Sequence, residues 1–177
     1  SNTSGSGRTG NGNGGTASLV ASGGGQIDAS GLNVSSAGIG GQISSAGVAG
    51  GNGQGGNSSV MISGTNSRIT ITGSTVISAN GFGAAGNGCL ACTTDGGTGT
   101  GGIAAVGQAG IGTNNLIDFQ DDFDIQAQGV GGTGLTANAG QGVGGTAIVF
   151  VSQGLTVQFP GFANIVAGGF GGNYLGT

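Results

Sequence analysis

The sequence predicts an all-β fold: a parallel β-solenoid (β-helix) of four repeats, each about 43 residues long, with glycine-rich arms. Three observations predict it. A paired-glycine anchor recurs at near-constant spacing, a second anchor closes each unit, and apolar residues alternate with small polar ones between them. Glycine supplies 48 of 177 residues, where an ordinary globular chain carries about 7 per cent. Long helices are untenable on that composition, because each glycine costs a helix about 1 kcal/mol and the usual surface helix formers are scarce.

The opening anchors are Gly14-Gly15, Gly55-Gly56, Gly101-Gly102 and Gly144-Gly145, spaced by 41, 46 and 43 residues. Five positions beyond the first glycine of each pair stand Leu19, Val60, Val106 and Val149; three positions beyond stand the small residues Ala17, Ser58, Ala104 and Ala147. The closing anchors begin at Gly38, Gly81, Gly129 and Gly169, each followed by Ile39, Phe82, Val130 or Phe170 and a further glycine. Val34, Ile77, Ile125 and Ile165 precede them in constant phase. Length varies between and after the anchors, as it does when insertions fall in the loops of a stacked repeat. The predicted organisation is a glycine-rich arm tail over 1–13 and one repeat domain over 14–177, with repeats 14–54, 55–100, 101–143 and 144–177.

Short strands follow from the alternation. The first unit carries them over 18–21, 26–30 and 32–36, and the second over 60–62, 68–72 and 75–79. The third carries them over 116–119 and 123–127, the fourth over 148–151, 155–159 and 163–167. Turn-forming Gly, Asn, Ser and Asp clusters link them, and Pro160, the one proline, falls in such a link. Three strands of this length cannot bury a face alone; stacked units share a core.

After each closing anchor comes a tract with few bulky side chains. Gly38, Gly41, Gly47, Gly50, Gly53 and Gly56 fall on one period of three, and Gly96-Gly99-Gly102 and Gly83-Gly86 repeat it. Three residues per turn is the period of polyproline II, which has no internal hydrogen bonds. The tracts read either as packed polyproline-II-like arms or as flexible linkers.

Charge limits the partners. Arg8 and Arg68 are the only basic residues beside six aspartates, which leaves no basic stripe for phosphates and excludes a nucleic-acid role. The longest bulky apolar run, 147–151, falls far short of the roughly 20 residues of a membrane-crossing helix, so no membrane insertion is expected. With no Lys, Glu or His, candidates for chemistry shrink to aspartates, hydroxyls, Tyr174 and two cysteines. The expectation is a non-catalytic protein without a cofactor.

Asp118, Asp122 and Asp124 form the one concentration of charge. They are weak candidates for calcium, which takes oxygen ligands; the alternative is a charged strand surface that discourages edge pairing. Alternation turns Phe119, Phe123 and Ile125 inward and these aspartates outward. Cys89-Leu-Ala-Cys92 has neither the βαβ setting of a thioredoxin motif nor further ligands for zinc. It reads as a local disulfide or as free thiols. Ile69–Thr72 resembles one row of a threonine-lined ice-binding face, but the equivalent positions carry Asp28, Asp118 or Gln158. Seven of the eight aromatics lie in the C-terminal half. They form either a wider core or an apolar end that meets another subunit, with Phe162, Phe170 and Tyr174 as the contact candidates.

The Gly-Gly-Thr-Ala openings at Gly14 and Gly144, the Val/Ile/Thr/Ser strands and the Gly-apolar-Gly-Gly closings resemble the glycine-rich arrays of large secreted bacterial surface proteins. These are the autotransporter passengers and filamentous-haemagglutinin-like adhesins. The resemblance spans nearly the whole chain from Gly14 and is one of repeat grammar. It implies a parallel β-solenoid, an extracellular or cell-surface location, and a stalk, filament or adhesive role. Coils of that family are nearer twenty residues, so each unit reads as two coils or as one coil plus an arm.

The functional expectation is a filament subunit or surface-stalk segment that stacks head to tail, on itself or on flanking modules of a longer chain. The alternative is an adhesin module that recognises carbohydrate or a surface. The stretch after Gly144 joined to the stretch before Gly14 amounts to 47 residues, close to the internal spacings. The repeat register is therefore expected to run on across a junction.

Overall fold

The computed structural model describes residues 9–42, 48–86, 94–134, 138–159 and 161–174. The described residues contain strands and no helix, so none that could cross a membrane. Twenty strands fall into five sheets of four, and every pairing is parallel.

The chain makes four coils, each contributing one strand to every sheet, so a repeat is one coil plus an arm. The first sheet holds β2 (Thr16–Ser22), β7 (Asn57–Ser63), β12 (Ile103–Gln108) and β17 (Thr146–Phe150). The second holds β3 (Gln26–Ala29), β8 (Arg68–Ile71), β13 (Asn115–Phe119) and β18 (Leu155–Gln158). The third holds β4 (Leu32–Ser35), β9 (Thr75–Ser78), β14 (Phe123–Gln126) and β19 (Ala163–Val166). Two-residue strands flank each arm. A fourth sheet is built from β5 (Gly38–Ile39), β10 (Gly81–Phe82), β15 (Gly129–Val130) and β20 (Gly169–Phe170). A fifth is built from β1 (Gly12–Asn13), β6 (Gly53–Gln54), β11 (Gly99–Thr100) and β16 (Gly142–Val143).

The register reproduces the alignment of the anchors. Leu19, Val60, Val106 and Val149 form one ladder, and Val34, Ile77, Ile125 and Ile165 another. Asp28, Thr70, Asp118 and Gln158 share a third, so the threonine row stops at one coil. Two features go beyond the sequence pattern. The third unit has a first-sheet strand, β12, whose run Ile-Ala-Ala-Val-Gly-Gln alternates poorly, and the two-residue strands are too short for any periodicity.

The first three sheets enclose the core. In coils two and three, Val60, Ile62, Ile69, Ile77, Val106, Ile117 and Ile125 are fully buried. Phe119 and Phe123 fill the corner between the second and third sheets, their ring centroids 4.6 Å apart, and Phe159 of coil four stacks on Phe119 at 5.5 Å. β-branched residues at these rungs fit because each packs on a like-shaped neighbour above and below.

Glycine serves two unrelated needs. At the turn between the first and second sheets the backbone is left-handed, with φ of +73° at Gly64 and +85° at Gly154, which glycine alone adopts without penalty. In the arms, no described glycine has positive φ; the demand there is steric. The fourth and fifth sheets face each other with no side chains between them. A Cβ on Gly38, Gly53 or Gly99 would lie well inside 3.0 Å of a backbone carbonyl.

The described parts of the arms are hydrogen-bonded, which favours the packed-arm reading over the flexible linker. Amide-to-carbonyl bonds of 2.8–3.0 Å run from Gly172 to Gly140, Gly132, Gly97, Ala84 and Gly51 in turn, crossing between outgoing and returning limbs. Gly47, Cys89, Cys92 and Pro160 lie outside the described residues.

Candidate functional site

The candidate surfaces are the outer rungs of the second and third sheets and the two faces that close the stack. On the outer rungs, alternation places the side chains as expected: Phe119, Phe123 and Ile125 are buried inward. Asp118 sits on the outer side but is itself buried, because Arg68 and Gln120 cover it. Arg68 Nη2 lies 3.7 Å from its carboxylate, and Gln120 Nε2 donates to Asp118 Oδ2 at 2.9 Å. Arg68 Nε also donates to Thr70 Oγ1 on the same strand at 2.8 Å.

Asp124 belongs to the next sheet and is held differently. Asn164 Nδ2 donates to its Oδ1 at 3.0 Å, and Gln126 Nε2 donates to Oδ2. Asp122 lies exposed in the turn between them. Among the described residues, no three Asp or Cys side chains converge as metal ligands. Each described carboxylate with a partner accepts from an amide or faces the Arg68 guanidinium.

The faces of the stack are different. Val34, Ile77 and Ile125 are buried, the latter two completely, while Ile165 on the same ladder is 51% exposed. Ile165 pairs with Ile125 on one side only; Val34, the other end rung, also has one neighbour on the ladder but is covered. The aromatics singled out as contacts are also open: Phe162 is 70% exposed, Phe170 51% and Tyr174 61%. Phe162 lies in the bend before β19, Phe170 in β20, and Tyr174 forms a parallel bridge with Gly134.

The chain matches no family model, no curated protein and no solved structure.

At the opposite face, coil one leaves its inward ladder residues Leu19 and Ile27 only partly covered, while Ala21 and Val34 are buried; Val20 and Ile39 are exposed on its outer rungs. Among the described residues, the end strands of each sheet pair on one side only, and such an edge is the standard template for adding another strand.

A polar network invisible to pattern reasoning supports the turn between the first and second sheets. Gln108 takes an inward rung where other coils carry Ala21 and Ile62. Asn115 Nδ2 donates to Gln108 Oε1 at 3.0 Å and to the Gly64 carbonyl at 2.7 Å, and its Oδ1 accepts from Ser67 N–H at 2.9 Å. A polar residue at a core rung was the available signal: it requires a buried partner.

Proposed function

We propose that this chain is a non-catalytic structural segment, a filament subunit or surface stalk whose coils continue head to tail. The observation that carries the reading is the Ile165 rung, a core position in coils one to three that coil four presents to solvent. Exposed apolar ladders bounded by unpaired strand edges are unfavourable in isolation and favourable once covered, since each buried Ile contributes roughly 1.5–3 kcal/mol. Repeat arrays manage this with polar capping units. Among the described residues neither face carries a helix or an extra polar strand beyond the repeating sheets.

An extracellular location is part of the proposal. It rests on the likeness of the Gly-Gly-Thr-Ala openings and Gly-apolar-Gly-Gly closings to autotransporter passengers and filamentous-haemagglutinin-like adhesins. A stack built from Gly, Ser, Thr, Asn and Val carries few charged side chains, and its described strands are paired coil to coil. Such a body suits spacing and reach. Negative-stain electron microscopy of the native material tests the reading: regular rods or fibres one coil wide are expected. Compact particles with both coil faces resistant to proteolysis would overturn it.

A further inference from the structure

We infer that the face of coil four docks on the face of coil one of a second copy of this chain, in unbroken register. The inference rests on the head-to-tail reading and adds the partner and the register. Its carrier is a set of glycines that the isolated chain does not need.

Gly10 and Gly15 on the coil-one face, and Gly171 on the coil-four face, have nothing within 4 Å of an added Cβ. At every other rung of the same three ladders, glycine is sterically enforced. A Cβ on Gly51, Gly97 or Gly140 would run into the carbonyl of Gly10, Gly51 or Gly97, each one coil earlier. A Cβ on Gly56, Gly102 or Gly145 would meet the carbonyl of Gly15, Gly56 or Gly102. In the opposite direction, a Cβ on Gly40, Gly83 or Gly131 would meet the carbonyl of Gly51, Gly97 or Gly140, in the limb that returns to the following coil. Gly10, Gly15 and Gly171 also lack the positive φ that is the other reason for glycine. A stacked copy supplies the missing reason reciprocally. Gly171 then faces the partner copy's equivalent of the Gly10 carbonyl, and the Gly10 and Gly15 rungs face the equivalents of the Gly140 and Gly145 carbonyls.

Side-chain size agrees with that register. In the corner between the second and third sheets, coil four offers the large Phe159 and the small Ala163, and coil one the small Ala29 and the larger Leu32. Stacked in register, Phe159 lies on Ala29 and Ala163 on Leu32, so bulk meets space at both rungs. Charge raises no obstacle. Residues 138–174 include no charged side chain, and residues 9–42 include Asp28 alone, which meets Gln158 across the junction.

Two experiments on the full chain test this. The triple variant Gly10→Ala, Gly15→Ala, Gly171→Ala fills space that is empty in the single chain. It is expected to keep the wild-type circular dichroism and melting temperature in dilute solution. Its association by sedimentation velocity should need at least tenfold higher concentration than wild type. Separately, Ser35→Cys and Val166→Cys chains are mixed under mild oxidation. These positions share one outer ladder of the third sheet, so across the junction their Cα atoms stand about 4.8 Å apart, within disulfide range. The mixed disulfide, mapped by mass spectrometry, is expected for this pair and absent when Asn33→Cys replaces Ser35→Cys. Wild-type rods with an equally competent triple variant, or equal cross-linking of the offset pair, would overturn the register and leave head-to-tail stacking standing. A wild type that stays monomeric at the highest attainable concentration would overturn the second copy as occupant, and with it the filament form of the reading.

Discussion

Asn115 donates a 3.0 Å hydrogen bond to Gln108 across the turn that joins the first and second sheets of coil three, and both side chains are buried. The same Asn115 reaches coil two through the Ser67 N–H and the Gly64 carbonyl. One amide therefore ties two turns of the stack together where apolar rungs give way to a polar one.

Asn115→Ala strands those backbone groups and the Gln108 amide. Leaving a buried polar group unpaired costs about 1–3 kcal/mol, so a total loss of about 2–3 kcal/mol is expected in urea unfolding. A loss below about 0.5 kcal/mol would show that water reaches the site and replaces the amide.

Ile77 and Ile165 occupy one ladder and differ in cover. Ile77→Ala is expected to cost about 2–4 kcal/mol through lost burial and the cavity left behind. Ile165→Ala in dilute monomer should cost less than half of that. Equal costs would mean that coil four is already covered in solution.

Thr75 occupies an apolar corner rung beside Ile71 and Phe123, and its Oγ1 is buried without a hydrogen-bond partner. Thr75→Val keeps the shape and removes the unpaired hydroxyl. Chemical denaturation should show a gain of about 1 kcal/mol. A comparable loss would reveal a hydroxyl partner within reach.

The two classes of glycine should respond differently to alanine. Gly24 has φ of +81°, and an added Cβ would meet nothing nearer than the Thr65 carbonyl at 3.8 Å, an ordinary contact, so Gly24→Ala is expected to cost about 1–2 kcal/mol of left-handed strain and still fold. Gly97→Ala sets a Cβ against the carbonyl of Gly51, a rigid backbone atom on the neighbouring coil. Soluble, folded Gly97→Ala protein with an unchanged melting temperature would show that the limbs pack less closely than described.

The repeat, its register and its inward ladders were all legible in the sequence. Leu19 aligns with Val60, Val106 and Val149 by counting from paired glycines, and the structure pairs the same residues. Solenoid contacts join equivalent positions one coil apart, so a spacing in sequence translates directly into a contact in space. The aspartates were legible in direction only. Alternation sends Asp118 outward, yet its burial depends on Arg68 and Gln120, which no period connects to it.

By itself, the sequence determined the number of repeats, most strand phases and which side chains form the core, because period-two alternation and a repeat of about 43 residues each specify a contact. That each repeat makes one coil plus an arm, rather than two coils, was decided by the tertiary structure. The tertiary structure decided what the glycines are for. A run such as Gly96-Gly97 or Gly101-Gly102 is equally consistent with a flexible linker, a left-handed turn or a close backbone contact. Only the position of the neighbouring coil, with its carbonyls against Gly97 and Gly102, selects the last. The limits that neighbouring backbone sets on a glycine are properties of space between segments, and a single strand of sequence does not contain them.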